Sequence, residues 1–292
     1  MGLNFAQLRA FLAVVDEGGF GTAADALGLT QSAVSHAVAA LERTLGHPVL
    51  TRQGRPQPTA FGQELLAHAR SAVNASAAIT DLAARLAGRP RGTVKLGAPT
   101  TVCQGLLPDL LARWRAEFPD VRVRLFEGED DEVAEWLDNG TVEAAVLVDP
   151  PGARGAWIGE DVFQVVLRQD HPLAGQEVVS VDDLVDDQFL LSGGGCERHV
   201  RRISPAWAAE PVHRVRELGT LLAMVRAGVG VSIVPGLAAA MLPSGLVLVP
   251  LARRVARRLV LSGPADREWH PAVTALVESV SADFTEGRQR TA

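Results

Sequence analysis

Two short helices joined by a tight turn are indicated by residues 20–45, and this pattern constrains the fold more than any other in the chain. Apolar residues recur at helical spacing on the first helix, at Phe20, Ala23, Ala24 and Leu27. Gly28 then breaks this helix, and Thr30 or Ser32 can cap the next one, because a hydroxyl satisfies free N–H groups. The second helix buries one face, made of Val34, Val38, Leu41 and Leu45. This is the plan of a helix-turn-helix, whose second helix enters the major groove of DNA.

The start and the open face of that second helix carry polar side chains suited to DNA. The candidates for DNA contact there are Thr30, Gln31, Ser32, Ser35, His36 and Arg43. We expect Ser32, Ser35 and His36 to face base edges, because they lie opposite the apolar stripe. The segment that follows contains a short strand, a Gly/Pro-rich tip with Arg52 and Arg55, and a return. It predicts a two-stranded wing whose arginines lie on the minor groove or the phosphate backbone.

The order of these elements resembles the N-terminal domain of LysR-type transcriptional regulators. The resemblance includes an opening helix with an apolar face of Phe5, Leu8, Leu12 and Val15. It continues through the run TQSAVSHAVAALE at 30–42, the LG pair after it and the arginine-bearing wing. The alternative, a helical hairpin within some other core, does not account for this agreement across several levels.

The charge balance is unusual for a protein that binds DNA. The net charge is −6, and a nucleic-acid binder is usually basic. Within residues 1–60, four arginines balance four acidic residues: Arg9, Arg43, Arg52 and Arg55 against Asp16, Glu17, Asp25 and Glu42. Non-specific attraction to phosphate is therefore modest for one copy of the domain. Specific binding would depend on groove contacts, wing arginines, helix N-termini and the pairing of two domains.

Composition indicates where the protein is located and which class of protein it belongs to. Hydrophobic residues make up 47% of the chain and charged residues 21%, which is typical of a globular protein. No apolar run is long enough for a membrane span, and no secretory signal is visible at the N-terminus. With two cysteines, a secreted disulfide framework is not expected. The sequence thus predicts a cytoplasmic protein with no membrane partner.

A long alanine-rich helix is predicted from Thr59, which can cap it, to about residue 88. Apolar positions alternate spacings of four and three along it, at Leu65, Ala69, Ala72, Ser76, Ile79, Ala83 and Leu86. A helix with such a seam is expected to pair with another copy, and the alternative is packing on its own chain. The family resemblance implies that this helix links two domains, in a homodimer and in a homotetramer formed as a dimer of dimers.

Beyond a Gly/Pro/Arg hinge at 88–92, strands alternate with helices, which predicts an α/β region with parallel pairing. Strands are predicted at 94–98, 121–127, 143–148, 162–168, 188–192, 212–218, 230–235, 246–250 and 256–263. Helices are predicted at 103–117, 130–138, 197–203, 206–209, 219–227 and 270–285. The DHPLA run at 170–174 and the LGTLLAMVRAGVGVSIVPG run at 218–236 are similar to segments of the LysR effector-binding domain.

The expected fold is therefore an α+β multidomain chain with a winged helix-turn-helix, a long linker helix and a two-lobed, periplasmic-binding-protein-like α/β effector domain. The expected boundaries are 1–58 for the DNA-binding domain, 59–88 for the linker and 89–292 for the effector domain. Within the last, lobe I is expected to contain 93–161 and 266–292, and lobe II 162–265.

Ligands of two-lobed α/β domains bind outside the carboxyl ends of the strands. The residues at those ends are the effector-binding candidates: Thr100, Thr101, Asp149, Ser192, Gly194, Gly195, Cys196, Thr220 and Pro235. Successive glycines before a helix present free N–H groups, so a small carboxylate or amino-acid-like anion is the expected effector. For Thr100 the alternative is a simple helix cap, because capping and ligand contact use the same hydroxyl.

The two cysteines suggest an alternative hypothesis, in which the protein is a thiol or redox sensor that uses Cys103, Cys196 or both. The alternative is that both are small buried hydrophobic residues. Cys196 lies about where the peroxide-sensing branch of the family carries its reactive thiol. The partner cysteine of that branch is absent, because Pro205 occupies its position, and this argues against a sensing disulfide.

An enzyme or a metal-binding protein is the next alternative. The seven histidines are scattered without metal-ligand spacing, and no nucleophile elbow, phosphate loop or zinc-protease motif is found. We therefore expect no enzyme activity and no cofactor. A solute-binding protein is a further alternative, opposed by the N-terminal module. The expected partners are double-stranded promoter DNA, a small effector, a second copy of the chain and, as the resemblance implies, RNA polymerase.

Overall fold

The structure is a computed structural model that describes residues 2–51, 54–85, 90–152, 154–209 and 211–290. Contacts divide this part of the chain into two units. The first contains the residues up to Pro90 together with Asp138–Thr141, and the second contains Arg91–Leu137 and the residues from Val142 onward.

The first unit is helical, and the predicted tight turn lies between its second and third helices. Its helices are α1 Phe5–Glu17, α2 Phe20–Leu27, α3 Gln31–Leu45 and α4 Ala60–Arg85. Gly28 ends α2 at φ 65°, a left-handed conformation that a glycine adopts without steric cost. Thr30 caps α3, since its Oγ1 accepts the Ala33 N–H at 3.2 Å. The helix-turn-helix predicted from the sequence is thus present, with Thr30 rather than Ser32 as the cap.

The wing is smaller than predicted. Leu50 and Pro58 form one antiparallel bridge, and the Thr51 N–H donates to the Gln57 carbonyl at 2.8 Å. Proline has no N–H to extend the ladder, so pairing does not continue as two full strands at this point. These two contacts join the ends of the segment, and Arg52 lies outside the described residues.

The long helix α4 begins after Thr59, whose Oγ1 accepts the Gly62 N–H at 3.0 Å. Leu66 and Ala69 on its first turns are buried in the core of the first unit. Further along, Ile79 is 72% exposed, although it belongs to the predicted apolar seam. The expected end of this helix at 86–88 lies outside the described residues.

The second unit contains the remaining elements. Its strands are β1 Gly92–Pro99, β2 Val121–Gly128, β3 Ala144–Val148, β4 Ala156–Arg168, β5 Leu190–Ser192, β6 His213–Val215, β7 Ser232–Pro235, β8 Leu246–Pro250 and β9 Ala256–Ser262. Its helices are α5 Thr100–Gly105, α6 Leu107–Glu117, α7 Asp130–Asp138, α8 Glu197–Ile203, α9 Pro205–Ala209, α10 Leu218–Arg226 and α11 Pro271–Arg290. Short 3₁₀ turns occur at Val181–Leu184 and Gly236–Met241.

Within the described residues, the main sheet has the order β2–β1–β3–β9–β4–β7, with β8 also paired to β4. Strands β1, β2 and β3 are parallel, whereas β9 runs antiparallel to both β3 and β4. The first half of β4 pairs with β9, and the second half pairs with β7 and β8. One continuous strand therefore runs from one lobe of this unit into the other.

Each lobe has its own core. We call the first lobe the part packed around Leu96, Trp114 and Val146, to which α11 contributes Val273 and Leu276. We call the second lobe the part whose cores include Phe163, Leu191 and Ile233 on one side of its sheet, and Leu221 and Val234 on the other. Both β4 and β9 connect the lobes along the sheet.

Strand β9 differs in position from the sequence expectation, which grouped it with lobe II. It pairs with β3, and Leu259 and Leu261 pack in the core of the first lobe. The reason is topological: an antiparallel return strand can insert beside β3, although its neighbours in sequence belong to the other lobe. Such an insertion leaves no local signal.

The single helix predicted at 103–117 is wrong. The structure has two helices, α5 and α6, separated at Leu106. Pro108 lies in the first turn of α6, where its missing N–H is harmless, and it disfavours a helix that continues through the preceding residues. Strands β5 and β6 are also shorter than predicted, with three residues each.

Among the described helices, none combines the length and the apolar character needed to cross a bilayer.

Candidate functional site

Helix α3 presents one buried face and one open face. Val34, Val38 and Leu41 are buried against α1 and α2. The polar candidates Gln31, Ser32, Ser35, His36 and Arg43 are all exposed. The separation of the two faces is that of a helix that packs on its own domain on one side and is free to enter a groove on the other.

The wing arginine Arg55 has a local partner. Its Nε donates to the Gly18 carbonyl at the end of α1, at 3.2 Å, and the residue remains exposed. The carbonyls at a helix C-terminus attract cations, which explains why the arginine settles there. The hairpin is thereby tied to α1, while part of the guanidinium stays available.

In the second unit, a cleft of about 500 Å³ opens between the start of α7 and the loop that precedes α8. It is lined by acidic residues, glycines and arginines: Glu129, Asp131, Glu132, Gly193, Gly194, Gly195, Glu197, Arg198, Arg201 and Arg216. The acidic residues of α7 come from the first lobe, and the glycines and arginines come from the second. The cleft is therefore an interface between the two lobes.

The predicted effector residues do not all line this cleft. Gly194 and Gly195 do, whereas Thr101, Ser192 and Pro235 are buried. Thr100 is half-buried at the start of α5, and Thr220 is exposed on α10. Opposite the glycines, the structure places Glu129 and Asp130, which sequence reasoning did not single out.

Arg257 on β9 is buried and hydrogen-bonds to side chains of two other elements. Its Nη2 lies 2.8 Å from Asp161 Oδ2 and donates to Thr101 Oγ1 at 2.5 Å. Asp161 also accepts the Leu237 N–H at 3.0 Å. The hydroxyl of Thr101, a predicted effector contact, is thus engaged by Arg257.

Asp149 and His199 also connect the lobes. His199 Nε2 lies 2.9 Å from Asp149 Oδ2, and the Arg258 N–H donates to Asp149 Oδ1 at 2.7 Å. Burial raises the pKa of Asp149, but these hydrogen bonds outweigh it, so the pKa is lowered overall. Asp149 also has a left-handed backbone, at φ 48°, which is uncommon for a residue other than glycine.

His199 is almost fully buried and its ring stacks on Phe163, with the ring centroids 4.8 Å apart. Burial lowers the pKa of His199, against the opposing effect of Asp149. The neutral form is therefore favoured. Its Nδ1 has no hydrogen-bond partner among the described atoms.

Asp130 supports the same region from the first lobe. Burial raises its pKa, and Arg257 and Arg198 oppose that effect. Arg198 Nη2 lies 3.4 Å from Asp130 Oδ2 and donates to the Val148 carbonyl at 3.0 Å. Arg198 thus extends from the second lobe to two groups of the first.

Both cysteines are free and half-buried. Burial raises the pKa of the Cys196 thiol to about 12, and burial likewise raises that of Cys103 to about 12. Cys196 packs against the core of the second lobe, and Cys103 Sγ donates to the Ala98 carbonyl at 3.5 Å. These are the surroundings of thiols that stay protonated.

Two groups at this site were missed by sequence reasoning. The acidic run Glu129–Glu132 was not singled out, because its approach to Gly194 and Gly195 spans more than sixty residues of sequence. Arg257 had a detectable signal: it alternates with Leu259 and Leu261 on β9, so it shares their buried face.

The parts of the chain that the structure describes contain no cluster of three or more His, Cys, Asp or Glu side chains able to hold a metal ion.

Comparisons with known proteins match both units. Residues 5–63 match the family model for bacterial regulatory helix-turn-helix proteins of the lysR family, and residues 87–285 match that for the LysR substrate binding domain. An uncharacterised HTH-type transcriptional regulator of Bacillus subtilis strain 168 is 29% identical over 289 residues, covering 97% of this chain and 99% of that protein.

A protein of Mycobacterium leprae named a probable hydrogen peroxide-inducible genes activator is 34% identical over 245 residues, covering 81% of this chain and 79% of that protein. Among solved structures, a full-length OxyR variant from Pseudomonas aeruginosa is similar with a TM-score of 0.73 and 24% identity, covering 96% of this chain and 95% of that chain. At this identity the likeness shows the fold alone. The full-length OxyR variant thus shares the fold of both the helix-turn-helix unit and the two-lobed unit.

Proposed function

The chain belongs to the LysR family of transcriptional regulators, and we propose that it binds its promoter DNA as a homodimer, in a tetramer of two dimers, under the control of a small anion bound between the lobes. It is a DNA-binding regulator with an effector-binding domain. A regulator acts by binding, so the proposed function includes no catalysis. Because it binds promoter DNA, the protein is assigned to the cytoplasm. RNA polymerase is proposed as a further partner.

For DNA, the proposal assigns base contacts to the open face of α3, with Ser32, Ser35 and His36 in the major groove. The observation that carries it is the exposure of this face while Val34 and Val38 are buried on the other. Arg43, Arg52 and Arg55 are assigned to the phosphate backbone or minor groove. Phosphate contacts position the domain, and base contacts specify the sequence.

For assembly, the proposal pairs two copies through α4. Ile79 supports it, because a large apolar side chain on the predicted seam is 72% exposed in a single copy. A contact with a second helix would remove that surface from water. Pairing also places two copies of α3 on one DNA molecule, which compensates for the modest positive charge of each domain.

For the effector, the proposal names a small carboxylate or amino-acid-like anion in the cleft. Arg198, Arg201 and Arg216 line it and are exposed, and guanidinium groups bind carboxylates through paired hydrogen bonds. Each of the three already pairs with a carboxylate of the chain, so an anion would exchange with that partner. The backbone N–H groups of the glycine loop 193–195 add further donors.

A second candidate function, peroxide or thiol sensing through Cys196, is favoured by one observation, the 34% identity to the Mycobacterium leprae relative and the name it carries. Two observations oppose it. The pKa of the Cys196 thiol is raised to about 12 by burial, and only the thiolate reacts readily with peroxide. Pro205 also stands where a second cysteine is expected. We therefore rank it below control by an anion.

The test combines DNA binding with ligand binding. Full-length protein is titrated against its own promoter region and against random DNA over a range of salt concentrations, and we expect a clear preference for the promoter. Small carboxylates and amino acids are then screened by thermal shift. A compound that binds should raise the melting temperature, because a ligand that binds only the native state stabilises it. Equal binding to both DNAs would contradict the DNA assignment.

A further inference from the structure

Two adjacent acidic residues of the first lobe fit against two adjacent glycines of the second. The Gly195 N–H donates to Glu129 Oε2 at 3.0 Å. A Cβ added at Gly194 would lie 2.1 Å from Glu129 Oε2, and one at Gly195 would lie 2.3 Å from Asp130 Cγ. A side chain at either position would collide with a carboxylate. The glycine loop is thus shaped to receive the chain's own acidic residues.

Further pairs join the lobes on both sides of this contact. Arg216 Nη2 lies 2.6 Å from Glu132 Oε1 at the outer side of the cleft. On the inner side, Arg198 donates to the Val148 carbonyl, and His199 pairs with Asp149. Each pair joins a first-lobe group to one of the second lobe, so contacts within the chain span the cleft between the lobes.

We propose that Glu129 is an internal competitor of the effector: its carboxylate occupies the Gly195 N–H, and the effector's anionic group must displace it. This inference rests on the proposed function, because it concerns the same cleft. Glu129 and the effector use the same chemistry, a carboxylate oxygen accepting a backbone N–H. Binding of the effector then replaces a contact within the chain by one to the ligand.

The consequence is that a higher effector concentration is needed for binding. When only the fraction of molecules with Glu129 displaced can bind, the apparent affinity equals the intrinsic affinity multiplied by that fraction. A neutral acceptor would give the Gly195 N–H a weaker hydrogen bond than a carboxylate does, so Glu129 also favours anionic effectors over neutral ones. Displacement further removes one of the contacts that join the lobes, which biases the cleft towards a different opening.

Glu129 is distinguished from its acidic neighbours by its partners. Glu132 is held by Arg216, and Asp130 is buried between Arg198 and Arg257. Asp131 lines the cleft with an exposed side chain. Of the four, Glu129 is the one whose carboxylate accepts a hydrogen bond from the glycine loop within the described contacts.

The test uses full-length protein carrying Glu129→Ala, with Glu135→Ala as the matched control. Glu135 is an exposed glutamate on α7, the helix that follows Glu129, and it does not line the cleft. Acetate, succinate and citrate are titrated calorimetrically into the wild type and both variants. We expect the carboxylate that binds to do so about tenfold more tightly to Glu129→Ala, with Glu135→Ala equal to the wild type. Equal affinity in all three proteins overturns the competition and leaves the proposed effector class intact.

Hydrogen exchange of the backbone segment 193–197, without added carboxylate, gives a readout that needs no ligand. Glu129→Ala should exchange faster there than the wild type and Glu135→Ala, because Gly195 loses its acceptor. Unchanged protection overturns the internal contact itself. If no carboxylate binds any of the three proteins, the effector class of the proposed function fails, and competition by Glu129 fails with it.

Discussion

Arg257 and Asp161 face each other across the β4–β9 ladder as a buried ion pair, with Arg257 Nη2 2.8 Å from Asp161 Oδ2 and both side chains at most 2% exposed. Thr101 accepts a further hydrogen bond from the same guanidinium. A buried pair of this kind contributes little net stability compared with apolar residues, but removal of one partner leaves an uncompensated buried charge.

Arg257→Met is therefore expected to lower the free energy of unfolding by about 3–5 kcal/mol, because Asp161 loses its counter-ion in a dry environment. Urea unfolding of the full chain measures the change. Arg258→Met is the control, since Arg258 is exposed on the same strand, and its effect should stay within about 0.5 kcal/mol. Similar losses for both variants would contradict the role of the pair.

Ile79→Asp is expected to weaken the dimer without unfolding a single copy. The side chain is exposed in one copy, and a carboxylate in the seam of a pair would be buried without a partner. Sedimentation should show more monomer, with a parallel loss of promoter affinity. The control is Ala75→Asp, at an exposed position outside the seam. An unchanged dimer would mean that the helices pair through another face.

Replacement of Ser35 and His36 by alanine is expected to reduce discrimination between promoter and random DNA, because both side chains lie on the exposed face of α3. Each lost base contact lowers discrimination by about 1–3 kcal/mol. Competition binding with the two DNAs measures the ratio. A double variant that keeps full discrimination would show that base contacts lie elsewhere.

Arg43→Ala tests the other class of contact. Loss of one phosphate-binding cation should weaken binding to both DNAs alike and reduce the slope of log affinity against log salt by about 0.9. A selective loss on the promoter would instead assign Arg43 to base recognition.

Cys196→Ser is expected to leave promoter binding and the effector response unchanged, and hydrogen peroxide should not alter DNA binding by the wild type. The reason is the pKa of the thiol, raised to about 12 by burial, so that the thiolate is scarce near neutral pH. DNA-shift assays with and without peroxide make the comparison. Peroxide-dependent binding that disappears in Cys196→Ser would establish thiol sensing.

Alkaline pH is expected to destabilise the fold through the same thiol. In the unfolded chain Cys196 ionises near its ordinary value of 9.0, whereas in the folded chain it stays protonated until about 12. Its contribution to stability is therefore complete below pH 9 and decreases as the pH rises towards 12. The urea midpoint should be lower at about pH 10 than at about pH 8, and this decrease should be smaller in Cys196→Ala than in the wild type. An equal fall in the two proteins would contradict the raised pKa.

The sequence predicts the first unit well because its signals are local. Gly28, Thr30 and the spacing of Val34 and Val38 specify a turn, a cap and a buried face within twenty residues. Within its described residues the wing forms a single bridge, at Leu50 and Pro58, an outcome that the composition of the tip alone did not reveal.

The cleft was less predictable because it depends on distant contacts. The glycine loop was identified as an anion site, but its neighbours Glu129 and Asp130 come from another lobe and have the local pattern of an exposed helix start. Thr101 was expected to face a ligand, and a buried arginine more than 150 residues away uses its hydroxyl instead. Local patterns give the groups available at a strand end, and tertiary packing decides their partners.

Strand β4 serves both lobes with one continuous backbone, and this makes its length a fixed dimension of the domain. Phe163, Val165 and Leu167 enter one core of the second lobe, and Val166 enters the other. A deletion of one residue before Phe163 would either turn these side chains to the opposite core or move the first half of the strand out of register with β9. The irregularity between Trp157 and Gly159 is where the ladder already absorbs one such offset. Natural variation in length should accordingly be confined to the loops at the two ends of this strand and be excluded from its interior.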